Sequence, residues 1–417
     1  MEKEVLISQG QGRLHFSEAC EALERVNVRF VTLIGWVPKY IPEKLVDLIG
    51  RIFDKSSLSQ RLKLRVPVNV PSDKIIFCLW PEFYYYLLVL LSKCGLLPLE
   101  TATSMGWKYW GAYSKKYLYG KNIFHVRSGA GQGGAINAAK KQGIKIIVDH
   151  SIAHPLEIDE ILSKEYEKFN MSFDLNPRSE FWQMVINDCT QADYLLVNSK
   201  FVAETFQKWG YNKEKIRIVY LGVREDFIGL KQNWDINGTI NLLFTGSFSI
   251  RKGAHILIDA MEILNQLSYP IVLHVIGYYD ELAFIKKHYK IPNNIRFYGN
   301  ILQDDLKNFF FSSDIYVFPS LAEGSARSVM EAMAAGLPVI TTENCGSPIQ
   351  NEKTGLIVPV KNSLALANSI ERLIKDHELR KRIGQGAVEQ ISRHYKWSNY
   401  ACNINAVYND ILKNVKI

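Results

Sequence analysis

What most limits the fold of this chain is a steady exchange of short apolar runs with helical stretches, kept up from one end to the other. Val5–Ser8, Val28–Ile34, Ile75–Trp80, Asn122–Val126, Ile144–Val148, Tyr194–Val197 and Ile216–Val219 read as strands, each a short run of residues that suit a pleated surface. Between them Glu18–Arg25, Phe83–Ser92, Ala135–Gln142, Ser179–Thr190 and Phe201–Trp209 carry helical periodicity. The second half repeats the scheme. Strands are expected at Asn241–Thr245, Ile271–Ile276, Ile295–Tyr298, Ile315–Phe318, Leu337–Thr341 and Leu356–Val358. Helices are expected at Ala254–Gln266, Glu281–His288, Asp304–Phe311, Ala326–Ala335 and Leu364–Lys375. Strand–helix alternation implies parallel strands joined by crossover helices, with both faces of the sheet covered.

A chain of 417 residues, 47% of them hydrophobic, can bury two cores of ordinary size. Residues 1–225 are expected to form the first domain and 239–396 the second. The polar, aperiodic segment Gly222–Gly238 is the expected linker, and an amphipathic helix from Trp397 is expected within 397–417. The net charge of +8 is spread along the chain, too diffuse for a nucleic-acid binder but favourable to polyanionic ligands and an acidic membrane surface. Six scattered cysteines without a C-x-x-C argue for a reducing compartment. The chain opens straight into a strand without a signal peptide. Its longest apolar run, Phe83–Leu91, falls short of the roughly 20 residues of a membrane span and is expected to be a buried helix.

The richest stretch runs from Phe318 to Thr341. Pro319 stops a buried strand, Gly324 frees the backbone to turn, and Ser325 is placed to cap the helix from Ala326 that Gly336 ends. A helix opening at the carboxyl end of a parallel strand offers unpaired N–H groups to an anion, and the amides of Ala326, Arg327 and Ser328 are the candidates here. Two carboxylates bracket the turn, Glu323 before the helix and Glu331 inside it, with seven residues between them.

This Glu-x7-Glu stretch resembles the signature of retaining glycosyltransferases of the GT-B fold, above all the family-4 group. The resemblance implies an α/β architecture of two doubly wound, Rossmann-like parallel-sheet domains facing across a cleft, with the last helix crossing back to the first domain. It also implies that Glu323 lies against the donor sugar and that Glu331 hydrogen-bonds the nucleotide ribose. The family carries a Gly-Arg turn followed by Lys-Gly, whose cations straddle the donor diphosphate. In Phe244-Thr245-Gly246-Ser247-Phe248-Ser249-Ile250-Arg251-Lys252-Gly253 the Lys252–Gly253 pair matches, but Ser247 stands where many members have Arg. Arg251 is therefore the candidate for the second cation. Gly246, Ser247 and Phe318 complete the expected donor site. His150, at the end of a strand in Asp149-His150-Ser151, resembles the family's His beside the transferred sugar, where it could bond a hydroxyl or, protonated, stabilise phosphate.

Two glycine-rich turns are open to more than one reading. Gln9-Gly10-Gln11-Gly12 follows the first strand, and Gly12 belongs either to a loop closing over the ligands or to an ordinary tight turn. Ser128-Gly129-Ala130-Gly131-Gln132-Gly133-Gly134 satisfies G-x-G-x-x-G, with Asp149 near the spacing of a ribose-binding acid. Alone it would suggest an NAD-dependent dehydrogenase; the alternatives are a structural turn or a loop bordering the acceptor.

Resemblance to the family implies transfer with retention of configuration from a nucleoside-diphosphate sugar, UDP- or GDP-linked, with no further cofactor. Arg251, Lys252 and the helix amides would take the charge of the leaving phosphate. No Asp-x-Asp stands in a ligand-like setting, and Asp304–Asp305 reads as a helix start, so activity without a metal is expected. Trp107, Tyr109, Trp110, Tyr113, Tyr117 and Tyr119, interleaved with lysines, suit an anionic membrane or a lipid-linked glycan acceptor, or else are core aromatics of an irregular excursion. The expected location is the cytoplasm, peripheral on the inner face of the membrane. A non-catalytic nucleotide-sugar-binding protein would share the same fold.

Overall fold

A computed structural model of the chain describes every residue except 1–2, 12–14, 38–42, 53–61, 64, 174 and 414–417. The first sheet comprises β1 (Val5–Ser8), β2 (Phe30–Gly35), β3 (Ile75–Cys78), β4 (Ile123–Arg127), β5 (Lys145–His150), β6 (Tyr194–Val197) and β7 (Ile216–Ile218). Its order is β3-β2-β1-β4-β5-β6-β7, and neighbouring strands run parallel. The second holds β8 (Ile240–Thr245), β9 (Ile271–Ile276), β10 (Ile295–Gly299), β11 (Ile315–Phe318), β12 (Val339–Thr341) and β13 (Leu356–Ile357), ordered β10-β9-β8-β11-β12-β13 and again parallel. Consecutive residues of β1 and β11 are all buried because helices cover both faces, which is why these strands read as short, largely apolar runs. Strand order reverses between β1 and β4, and again between β8 and β11. Ligands of open α/β sheets gather at the carboxyl ends of such switch points.

The helix Trp397–Lys413 lies on the helix Phe16–Arg25, and its Tyr400, Ile404 and Tyr408 join Val5, Ile7 and Leu23 in one core. Tyr408 Oη sits 2.6 Å from His125 Nδ1. The segment expected to be a polar linker is anchored instead. Phe227 is fully buried in the second core, Lys231 Nζ donates to the Ser313 carbonyl (2.7 Å), and Val223 forms a parallel bridge with Lys396.

Among the described residues, four helices lie outside the expected set: Glu43–Ile52, Leu99–Ser114, Pro155–Glu167 and His377–His394. Leu99–Ser114 carries the first part of the aromatic–basic segment, whose aromatics divide: Trp107 and Trp110 are buried and Tyr113 and Tyr117 pack on the same cluster, while Tyr109 and Tyr119 are exposed. Its Gly111 is weak helix material kept for proximity, since a Cβ there would stand 1.8 Å from the Gln132 carbonyl oxygen. The apolar run from Phe83 is helical within Leu79–Lys93 but is not buried all round, because Trp80, Phe83 and Leu87 face outward.

The helix Pro155–Glu167 joins the two halves. Ile158, Leu162 and Tyr166 pack with Ile250 and Leu321 of the second half. Tyr166 Oη donates to Glu281 Oε1 (2.9 Å). Glu165 is buried between His255 Nε2 (3.0 Å) and Lys361 Nζ (2.6 Å). Burial opposes its charge, but these partners and Lys168 outweigh it and hold the carboxyl well below the ordinary range.

Candidate active site at the carboxyl edges of two sheets

The carboxyl ends of the two sheets meet at Gly324. A Cβ on that residue would lie 1.8 Å from the Ser151 carbonyl oxygen, just past β5, and Ser199 Oγ beyond β6 donates to the Gly324 carbonyl (2.5 Å). Asn198 Nδ2 donates to the Ser151 carbonyl (3.1 Å), fixing the loop from the other side. The sequence reading missed Ser151, Asn198 and Ser199. Their position directly after β5 and β6 is the signal that would have found them.

Glu323 precedes this contact and collects the two cations of the β8 turn. Arg251 Nη1 is 2.6 Å from Glu323 Oε1 and donates also to the Ala322 carbonyl (3.0 Å), while Lys252 Nζ is 3.3 Å from the same carboxylate oxygen. Lys252 is steered by its surroundings. Its ammonium lies 5.1 Å over the Phe318 ring, and Gly246, at φ 127°, keeps the space beside it open: a Cβ there would be 3.0 Å from Nζ. Gly253 adopts φ 77°, and a Cβ there would meet the Pro319 carbonyl oxygen at 2.1 Å, so glycine brings the cation turn onto the β11 loop. Ser247, Arg251 and Glu323 line a cavity of about 430 Å³ whose opposite wall includes Tyr166 and Trp182 of the first half.

Several expected contacts are corrected. Phe318 is wholly buried and stacked on Phe244 (5.4 Å), so its side chain supports Lys252 from below rather than facing a ligand. Ser325 does not cap the helix, whose bounds are Arg327–Ala335 with Ala326 as the preceding residue; its Oγ donates to Met330 Sδ (3.4 Å). The Ala326 amide is taken by the Cys345 carbonyl (3.0 Å), which leaves those of Arg327 and Ser328 without an acceptor among the described residues. Arg327 reaches across the cleft to Glu18 (3.5 Å). Gly12 lies outside the described residues.

Glu331 sits half-buried on the same helix. Burial raises its carboxyl above the ordinary range, with Arg327 and Arg224 opposing. His150 is buried, its Nδ1 2.9 Å from Ser128 Oγ, and its Nε2 has no partner among the described residues. Burial pushes the imidazole down to about 4, so it is neutral near pH 7 and not the phosphate-stabilising cation that the sequence allowed.

The G-x-G-x-x-G turn is already filled from within. Asp188 accepts from the amides of Gly129 (2.7 Å) and Gly131 (2.8 Å), the groups a pyrophosphate would need, and Gln132 Nε2 bonds the same carboxylate. Asp149 is enclosed between His15 Nε2 (3.0 Å) and His125 Nε2 (3.4 Å) rather than offered to a ribose. Burial opposes its charge, but the two histidines outweigh it and hold the carboxyl well below the ordinary range. No three His, Cys, Asp or Glu side chains among the described residues converge to hold a metal ion.

Residues 229–390, which carry Glu323, Glu331, Arg251 and Lys252, match the family model for glycosyl transferases group 1. Over that stretch the second half of the chain is similar to glycosyl transferases group 1. The amylovoran biosynthesis glycosyltransferase of Erwinia amylovora is 28% identical to the chain over 194 residues, 44% of this chain and 48% of that protein. Matches of this kind span about half the length of the curated relatives. Among solved structures, sucrose-phosphate synthase from Thermosynechococcus elongatus superposes with a TM-score of 0.65 at 17% identity, covering 99% of this chain and 100% of that one. HepE of Anabaena, solved in complex with UDP-glucose, does so at 0.60 and 16%, covering 98% and 99%. Likeness over the full length fixes the fold of the two sheets and their helices as GT-B.

Proposed function

We propose that this chain is a retaining glycosyltransferase, moving a sugar from a nucleoside-diphosphate donor to a glycan or lipid-linked acceptor in cell-surface polysaccharide or glycolipid synthesis. What supports this reading above all is the convergence of Arg251 and Lys252 on Glu323 beside the open amides of Arg327 and Ser328. Breaking the bond between the anomeric carbon and the donor phosphate builds negative charge on the phosphate. Two cations and a helix N-terminus, fixed beforehand, stabilise that charge without reorganising. Glu323 orients the sugar and steadies the positive charge of its ring, while neutral His150 offers Nε2 to a sugar hydroxyl. The departing phosphate oxygen takes the acceptor proton on the same face, so no side chain need act as nucleophile and no metal is required. Glu331 receives the ribose hydroxyls. A UDP-linked donor fits the complex formed by HepE, and a surface polysaccharide fits the amylovoran relative.

The test is calorimetry with UDP, GDP, ADP and NAD⁺ on the wild type and Glu331→Ala. One nucleoside diphosphate should bind, and the variant should bind it about 10- to 100-fold more weakly, the worth of hydrogen bonds to a charged group. Binding of NAD⁺ alone, equal in both proteins, would sink the reading.

A further inference from the structure

The helix Leu79–Lys93 is apolar on nearly every side, yet only part of it is covered. Pro81, Glu82 and Leu88 turn inward, and Tyr84 meets Tyr109 of the antiparallel helix Leu99–Ser114 at 4.8 Å. Trp80, Phe83, Leu87 and Leu90 recur in steps of three, four and three, which sets them in one stripe on the outer face. Trp80 is 61% exposed and Phe83 60%; at the tip between the helices Leu96 is 74% exposed, followed by exposed Leu99. A helix apolar all round belongs in a core or at a lipid boundary, and a continuous apolar face marks an interaction surface.

Charge decides what covers it. Residues 79–121 hold five lysines and two glutamates; Lys108 and Lys121 pair with Glu180 and Glu4 from outside the hairpin, and Glu82 is buried on Arg65 at 2.7 Å. Lys93 stands at the tip. Lys115 and Lys116 stand at the base, Lys116 close enough to act on the Cys78 thiol. A second copy docked on the same stripe would crowd these cations together, whereas anionic headgroups would pair with them. Trp and Tyr beside Leu and Phe are the side chains that settle at a headgroup boundary. The hairpin also touches the cleft. Gln11 Nε2, in the loop after β1, donates to the carbonyls of Pro81 (3.4 Å) and Gly106 (3.1 Å), and Arg127 Nη1 donates to the Gln11 carbonyl (3.0 Å).

We propose that the outer face of this helical hairpin docks on an anionic lipid surface. Trp80, Phe83, Leu87, Leu90 and Leu96 enter the acyl boundary, exposed Lys115 and Lys116 meet the headgroups, and Gln11 of the loop after β1 is tied to the lipid-bound element. This surface is separate from the sugar-transfer site and stands whether or not the cleft transfers sugar.

The full chain is spun down with vesicles of phosphatidylglycerol and phosphatidylcholine, or of phosphatidylcholine alone, at low and raised salt. Binding should require phosphatidylglycerol and weaken with salt. Phe83→Glu with Leu87→Glu should lower it by about tenfold or more, and Lys115→Glu with Lys116→Glu should weaken it at low salt. Both variants should keep nucleotide binding, which separates loss of docking from loss of fold or of the donor site. The proposal is overturned if the wild type stays in the supernatant with anionic vesicles at low salt. It is overturned equally if the Glu variants sediment like the wild type, or if the stripe proves to hold a dimer that they dissociate without any lipid binding.

Discussion

Glu323 shares one carboxylate oxygen between Arg251 and Lys252, and each cation keeps further donors for an anion. Arg251 stands four residues beyond Ser247, where the family has its arginine, so the charge is supplied from a later point of the same turn. Gly253 folds that turn back onto Pro319, which is what lets a residue so placed arrive at Glu323. Arg251→Ala should therefore lower kcat by about 10²- to 10³-fold, the usual cost of losing one preorganised donor to a developing charge. Nucleotide affinity should fall less, because Glu331 and the helix amides are untouched. Single-turnover kinetics beside calorimetry would check this, and an unchanged kcat would remove Arg251 from the site. Lysine at this position should rescue only in part, since it lacks the planar fork.

Among the elements, the loop from Ser320 to Ala326 is held by its neighbours more than by its own sequence. Gly324→Ala would drive a Cβ into the Ser151 carbonyl, so the loop must draw back from the first half. Turnover should fall sharply while the nucleotide still binds close to its wild-type affinity; equal loss of both would show that the contact merely supports the fold. The strands were readable because parallel strands buried on both faces show as bare apolar runs, as Ile315–Phe318 does. The helix Pro155–Glu167 had its signal in plain view, Pro155 at its first position after His154, whose Nδ1 accepts from the Leu156 amide (3.2 Å). Leu99–Ser114 offered no such signal. Gly106, Gly111 and its hydroxyl residues argue against a helix, and packing on the helices Leu79–Lys93 and Glu180–Gln191 and on β4 overrides them. The filled G-x-G-x-x-G turn was hidden for a different reason: Asp188 lies far along the chain, and no spacing rule connects it to Gly129.

For the whole molecule, the two glutamates, the cations and the doubly wound plan were legible because local turn chemistry at each switch point writes them into short stretches. The joint between the halves was not, since it is built from residues such as Glu165 and His255 whose nearness only the fold creates. The last helix is a structural part of the first half. Tyr408→Ala would leave a cavity among Phe16, Leu23 and Ile404 and strip His125 Nδ1 of its partner. A loss of about 3–5 kcal/mol in chemical denaturation is expected, the range for a large buried side chain. A loss under about 1 kcal/mol, the scale of a surface change, would mean that the helix only rests on the sheet.

Because the chain returns to its first half at the end, it passes between the halves twice, and the passages are stitched side by side. Val223 N–H donates to the Tyr395 carbonyl (2.8 Å), Val223 pairs with Lys396, and Gly222 lies so close to Trp397 that a Cβ would come within 2.5 Å of its Cα. A door hung on one cord can swing, twist and drift; hung on two pins set close together, it turns about a single line. Any opening of the cleft would hinge at this paired crossing and would carry Gly324 away from the Ser151 carbonyl.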